Sequence, residues 1–83
     1  MRLDDYLSTI GVIKRRTIAK ELASNGMILV NEQKAKPAYQ VKLSDIIRIK
    51  GTRPQALEVL DIPTGSVPKE QREKYFKVLE GTV

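Results

Sequence analysis

The sequence predicts an α+β domain: two N-terminal helices packed on a small, mostly antiparallel sheet, plus a C-terminal helix. Three observations lead there. Apolar residues recur at helical spacing as far as Asn25-Gly26, and then in strand-length runs from Met27 to Ile62. Helical spacing with oriented ion pairs returns after Pro68. The 83 residues suffice for one small domain. Residues 1–62 hold the helix pair and sheet, and 63–83 form a turn and a terminal helix packed on the same domain.

The first helix runs from Arg2 to about Ile10, where Leu3, Leu7 and Ile10 make one apolar stripe. Gly11 breaks it. The second runs from Lys14 or Arg15 to Ser24, with Ile18, Ala19, Leu22 and Ala23 on its expected buried face, and stops at Asn25-Gly26. Met27 to Val30 is a strand, Asn31-Glu32-Gln33 a turn, and Lys34-Ala35-Lys36 a short return strand closed by Pro37. Ser44-Asp45 is a polar turn, and Ile46 to Ile49 the next strand. A loop containing Pro54 leads to a strand over Leu57 to Ile62. From Pro68 to about Leu79 a helix is expected: proline suits its first turn, and Glu70/Lys74 and Glu73/Lys77 are i, i+4 pairs. Tyr75, Phe76 and Leu79 would dock it.

Cys, His and Trp are absent. Disulfides, a zinc site and Cys or His catalysis are thereby excluded. No stretch approaches the roughly 18 to 20 apolar residues of a membrane span, and Asp4 and Asp5 interrupt the first apolar run. No membrane association, cofactor or metal is expected, and the predicted location is cytoplasmic. The carboxylates show no pairing suited to acid–base work, so an enzyme is not expected.

The formal charge is +5, and all of that excess lies in residues 1–50, where ten basic side chains face five acidic ones. A localised excess suits a polyanionic partner. At about 100° per residue, Arg16 and Lys20 fall one turn apart on a polar edge of the second helix. Each arginine there offers a planar fork to phosphate oxygens. Arg2 adds a cation from the first helix, and Lys34 and Lys36 add more from the hairpin edge. Arg15 lies at the helix start, free to snorkel outward or to pair with Asp4 or Asp5. Tyr6 is expected in the core, and Asn31 in a structural turn role. Tyr39 is either a base-stacking residue or a packing one.

Arg16-x-x-Ala19-x-x-Leu22-x-x-x-Gly26-x-x-x-Val30-Asn31 resembles the S4-type RNA-binding domain. Arg15-Arg16 stands where the family prefers Ser-Arg, and Asn31-Glu32 where it prefers Asn-Gly. Val41-Lys42-Leu43-Ser44-Asp45-Ile46-Ile47 resembles its Val-x-x-Gly-Asp-x-Ile, with Ser44 replacing glycine. Arg2-Leu3-Asp4, Tyr6-Leu7 and Ile13 to Glu21 are similar to a free-standing bacterial branch. That branch includes heat-shock ribosome-rescue proteins and the P-site factors of ribosome-associated quality control. The resemblance implies an S4-like fold and binding to obstructed large ribosomal subunits that hold peptidyl-tRNA. The implied partners are large-subunit rRNA, the P-site tRNA and a factor that extends the stalled chain. Arg2 and Arg16 match the family's RNA-contacting arginines; Lys14, Arg15, Lys20 and Lys36 complete the expected RNA-binding set.

The resulting expectation is a monomeric, non-catalytic RNA clamp that reads the shape of a folded RNA. With about four phosphates neutralised, log K would fall with log salt at a slope of roughly −3 to −4. Changing Arg2 and Arg16 to Ala is expected to weaken binding and leave the fold intact. A double-stranded DNA-binding helix pair is the alternative, although the second helix lacks an obvious set of Asn or Gln base readers. A general S4-type module serving another ribosomal or RNA-modification role is a further one.

Overall fold

The computed structural model describes residues 1–81. Its elements are α1 (Leu3–Thr9), α2 (Arg16–Ser24), β1 (Ile28–Val30), β2 (Gln33–Lys34), β3 (Ile46–Ile49) and β4 (Gln55–Val59), followed by a 3-10 helix (Lys69–Lys74) and β5 (Phe76–Glu80). All strand pairs are antiparallel, in the order β2-β1-β3-β4-β5. The α+β architecture with its N-terminal helix pair is the one expected.

The helices bury one face on the sheet. Leu3, Tyr6, Leu7 and Ile10 of the α1 segment join Ala19 and Ala23 of α2 over Ile28, Val30, Ile47, Ile49, Leu57 and Val59. Two α2 residues depart from expectation. Ile18 is 43% exposed and Leu22 only half-buried, so the buried stripe is centred on Ala19 and Ala23. Small side chains there let α2 lie close to its neighbours, and Ile18 is rotated out beside the cations. The helix ends in a Schellman pattern: the amides of Gly26 and Met27 donate to the carbonyls of Ala23 and Leu22. Gly26 takes the left-handed φ of +72° that this requires.

The hairpin β1–β2 turns on two residues, Asn31 (φ 51°) and Glu32 (φ 70°), between the paired Val30 and Gln33. Two positive φ values make the primed turn whose twist matches the strands. Glutamate thus occupies a position where glycine is the unstrained residue, and Ser44 (φ 69°) does the same ahead of β3. Left-handed backbone costs a side-chain-bearing residue about 1 kcal/mol. Glu32→Gly and Ser44→Gly should therefore each raise stability by about 1 kcal/mol, read as a higher urea midpoint. Glu32 also meets Arg48 at 3.5 Å, but so exposed a pair contributes little. An unchanged or lower midpoint for both variants would contradict the strain assignment.

The C-terminal segment differs most. The helix expected over Pro68 to Leu79 is a 3-10 helix that stops at Lys74, and Phe76–Glu80 is a strand on the open edge of β4. An isolated helix of about a dozen residues is marginal, and each i, i+4 ion pair adds only a few tenths of a kcal/mol. A full ladder on β4, with Val59 opposite Phe76 and Leu57 opposite Val78, outweighs that. Arg48 on β3 clips the new edge by donating to Glu80 at 2.8 Å. Tyr75 and Phe76 pack against the core as expected, whereas Leu79 is 47% exposed. The last two residues of the 63–83 segment, Thr82 and Val83, lie outside the described residues.

Tyr6 links that segment to α1. It is fully buried, and its hydroxyl donates to the Tyr75 carbonyl at 2.7 Å. Burial, and secondarily the charge of Asp61, push its pKa well above the ordinary 10. Tyr39 is shifted the same way by burial and by its bond to Asp45. Each folded pKa exceeds the unfolded one, so the stabilisation is whole below pH 10 and is lost as pH rises from there towards the folded values. Tyr6, the fully buried one, should contribute a slope approaching about 1.4 kcal/mol per pH unit in that window. Tyr6→Phe should remove most of that slope in urea titrations. An unaltered slope would contradict the burial-driven shift.

Candidate nucleic-acid interface

The site is built on a buried carboxylate. Asp4 sits in the first turn of α1, next to Leu3 on the packed face, and is fully buried. Its Oδ1 accepts the Asp5 amide at 2.8 Å. Arg2, just before the helix, lays its fork along it: Nε donates to Oδ1 and Nη2 to Oδ2, both at 3.1 Å. Arg16, the first residue of α2, brings Nε to 3.7 Å from the same Oδ2 and Nη1 to 3.6 Å from Asp5 Oδ1. Two guanidinium groups from different helices thus converge on one carboxylate. Their side chains remain 38% and 51% exposed.

A guanidinium has five N–H donors, and Arg2 uses two on Asp4. Arg16 makes only long contacts. Both therefore keep outward donors, and the Asp4 anchor limits the rotamer freedom that a ligand would otherwise have to freeze. The same anchor neutralises part of their charge, since Asp4 and Asp5 balance the two arginines. The cationic excess of this end of the molecule comes from their neighbours.

Those neighbours fall into three groups. Arg15 and Lys20 are exposed and, among the described residues, free of ion pairs. Lys20 follows Arg16 by one turn on the same edge of α2, with Ser24 one turn beyond. Pairing of Arg15 with Asp4 or Asp5 does not occur. Arg15 has extended φ and ψ of −120° and 133° ahead of the helix, which leaves Arg16 as the first-turn residue facing α1. Lys36 lies on the return segment beside α1, next to Pro37, whose carbonyl accepts the Asp4 amide at 3.3 Å. It lines a groove with Lys34, Ala35 and Tyr39. Lys14 stands apart, in a cleft towards the C-terminal end of α1.

The return segment is itself held by a second buried carboxylate. Asp45 Oδ2 accepts from the Tyr39 hydroxyl at 2.8 Å and the Lys42 amide at 2.9 Å, and Oδ1 from Asn31 Nδ2 at 3.0 Å. Asn31 Oδ1 accepts the Ile46 amide at 3.0 Å. Asn31 is thus a structural turn residue, and Tyr39 spends its hydroxyl inside the protein. Residues 37–40 in turn bond to the start of α1: the Leu3 amide donates to the Tyr39 carbonyl, and Arg2 bridges Gln40. Asp45 fixes the strip of chain that fixes Arg2.

The anchoring role of Asp4 escaped the sequence reading. A carboxylate beside Leu3 and one turn before Leu7, on an otherwise apolar face, is the signal that could have found it. No helix among the described residues is long and apolar enough to cross a membrane.

Fold and site together define an S4-domain protein. The S4 domain profile matches residues 1–47, and the chain belongs to that family. Its relatives along nearly the whole length are RQC P-site tRNA stabilizing factors. The one from Streptococcus pneumoniae is 37% identical over 99% of this chain and 93% of its own. The one from Listeria innocua is 38% identical over 96% and 87%. Among solved structures, a trimeric Heat Shock Protein 15 of Vibrio cholerae superposes with a TM-score of 0.86 at 22% identity. It covers 94% of this chain and 80% of its own, and shows the shared fold.

Proposed function

We propose that this protein is a non-catalytic RNA-binding factor that acts on obstructed large ribosomal subunits and stabilises the P-site tRNA. The observation that carries the reading is the pair Arg2 and Arg16, held on buried Asp4 with outward donors free. It sits in a chain similar at full length to proteins named for that task. Both arginines, with Arg15, Lys20 and Lys36 around them, form the RNA-contacting surface; Lys14 extends it.

The surface suits phosphate recognition in a folded RNA. Arginine forks match phosphate oxygens, and α2 carries no row of Asn or Gln to read a duplex major groove. The factor works as a cytoplasmic monomer beside rRNA and tRNA, and a chain-extending partner uses the tRNA so held. Co-sedimentation tests this. The protein should pellet with large subunits carrying peptidyl-tRNA and much less with empty subunits or 70S ribosomes. Equal recovery with all three would reduce the function to general RNA binding, and preference for duplex DNA would reverse the assignment.

A further inference from the structure

We infer that the C-terminal segment and the α1–α2 connection form a second nucleic-acid site, which takes a single-stranded nucleotide by its phosphate and its base. Lys14, Lys69 and Arg72 surround a cleft of about 690 Å³ with Phe76 in its lining. The inference rests on the RNA-binding reading above; Lys14 belongs to both, and Lys69, Arg72 and Phe76 are residues that reading does not use.

Three observations point to an anion. No carboxylate oxygen lies within 4.0 Å of any of the three cationic ends among the described residues. Glu73 shares the lining without pairing, which leaves the cleft at +2. Arg72 Nε is buried with no hydrogen-bond partner, a costly state for an ionised group, and an anion in the cleft would offset that cost through the charge of the guanidinium.

The guanidinium also sits tight against the α1–α2 connection. A Cβ on Gly11 would come within 2.8 Å of Arg72 Cζ and closer still to Nη1, so the bare glycine makes room for the group. Gly11 has φ +79°, which glycine adopts freely. The Arg72 head therefore packs close against the chain at Gly11, where the α1 segment ends.

The apolar part of the cleft selects among anions. Phe76 is half-buried and Val78 is 43% exposed. An aromatic ring under a cationic rim fits a stacked base with its phosphate above. Inorganic phosphate would use only the rim. Continuity supports a strand too: Lys14 in this cleft and Arg16 on Asp4 are two residues apart, at most about 7 Å along the chain.

The test is an amide-shift titration of the 15N-labelled full-length protein with an octauridylate, with inorganic phosphate in a parallel arm. Shifts at Gly11, Lys14, Arg72 and Phe76 as well as at Arg16 and Lys20 are expected. Lys14→Gln with Lys69→Gln, both exposed, should lower oligonucleotide affinity about tenfold and flatten the salt slope by about 1.4. Arg72→Gln should abolish the cleft shifts while those at Arg16 persist. Shifts confined to Arg16 and Lys20 would overturn the second site and leave the proposed function standing. Silence everywhere would likewise overturn the second site, while the proposed function, which concerns folded RNA on the subunit, falls only by the co-sedimentation result. Phosphate shifting the cleft without competition from the octauridylate would overturn the nucleotide assignment.

Discussion

Asp45→Ala should lower the stability of the domain by about 3–5 kcal/mol, an effect large enough to leave the variant mostly unfolded at physiological temperature. The carboxylate is 5% exposed and accepts from Asn31, Tyr39 and Lys42 at once. A charge-assisted hydrogen bond contributes about 1.5–3 kcal/mol, and removing the acceptor strands donors in a partly buried place. At this chain length the melting midpoint should fall by about 12 °C or more. Asp45→Asn keeps the shape and one acceptor and should lose about half as much. The loss reaches the interface, because the Tyr39 strip that Asp45 holds is what the start of α1 bonds to. A change below about 1 kcal/mol in Asp45→Ala would contradict this.

Removing Arg2 and Arg16 together should cut RNA affinity about a hundredfold, at roughly 1.4 kcal/mol for each lost phosphate contact. The salt slope should fall from about −3.6 towards about −1.8. The two arginines are not equivalent. Arg16 makes long contacts from a half-exposed position, so Arg16→Ala should fold normally and lose affinity alone. Arg2 makes the bidentate bond to a buried carboxylate, and taking both arginines leaves Asp4 charged and unpaired. Removing the partner of a buried charge costs about 3–5 kcal/mol. The expectation that the double alanine variant keeps its fold therefore needs correction. Asp4→Asn added to Arg2→Ala and Arg16→Ala removes the stranded charge while still accepting the Asp5 amide. A triple variant that folds and binds RNA like the parent would remove both arginines from the interface.

The helix pair and the existence of the first four strands are legible because each carries its own punctuation: Gly26, the Asn31 turn, Ser44-Asp45 and Pro54. β2 and β4 start one and two residues earlier than expected and end at Lys34 and Val59. The terminal segment is not legible. Glu70/Lys74 and Glu73/Lys77 read as helix on local spacing, and nothing in Phe76-Lys77-Val78-Leu79 announces that the β4 edge lies open beside it. Strand pairing is set by a distant partner, which local periodicity does not report. The cations were legible by type and only partly by place. Arg16 and Lys20 share an edge because i and i+4 always do, whereas separating Lys14 from Arg16 required the course of the α1–α2 connection. Asp4 was hidden for a related reason: two cations that converge from different helices leave no spacing rule in the chain.

Photo-crosslinking from Ser24 tests the central claim most directly. Ser24 continues the Arg16–Lys20 edge and carries no charge, so a benzophenone side chain there leaves every cation in place. With large subunits bearing peptidyl-tRNA, crosslinks to rRNA or tRNA should form from position 24, and their yield should drop with added salt. The same label at Leu79, 47% exposed on β5 at the opposite edge of the sheet from the β1–β2 hairpin, should give few. Crosslinks from position 79 with none from position 24 would place the RNA on another part of the molecule and contradict the assignment of Arg2 and Arg16.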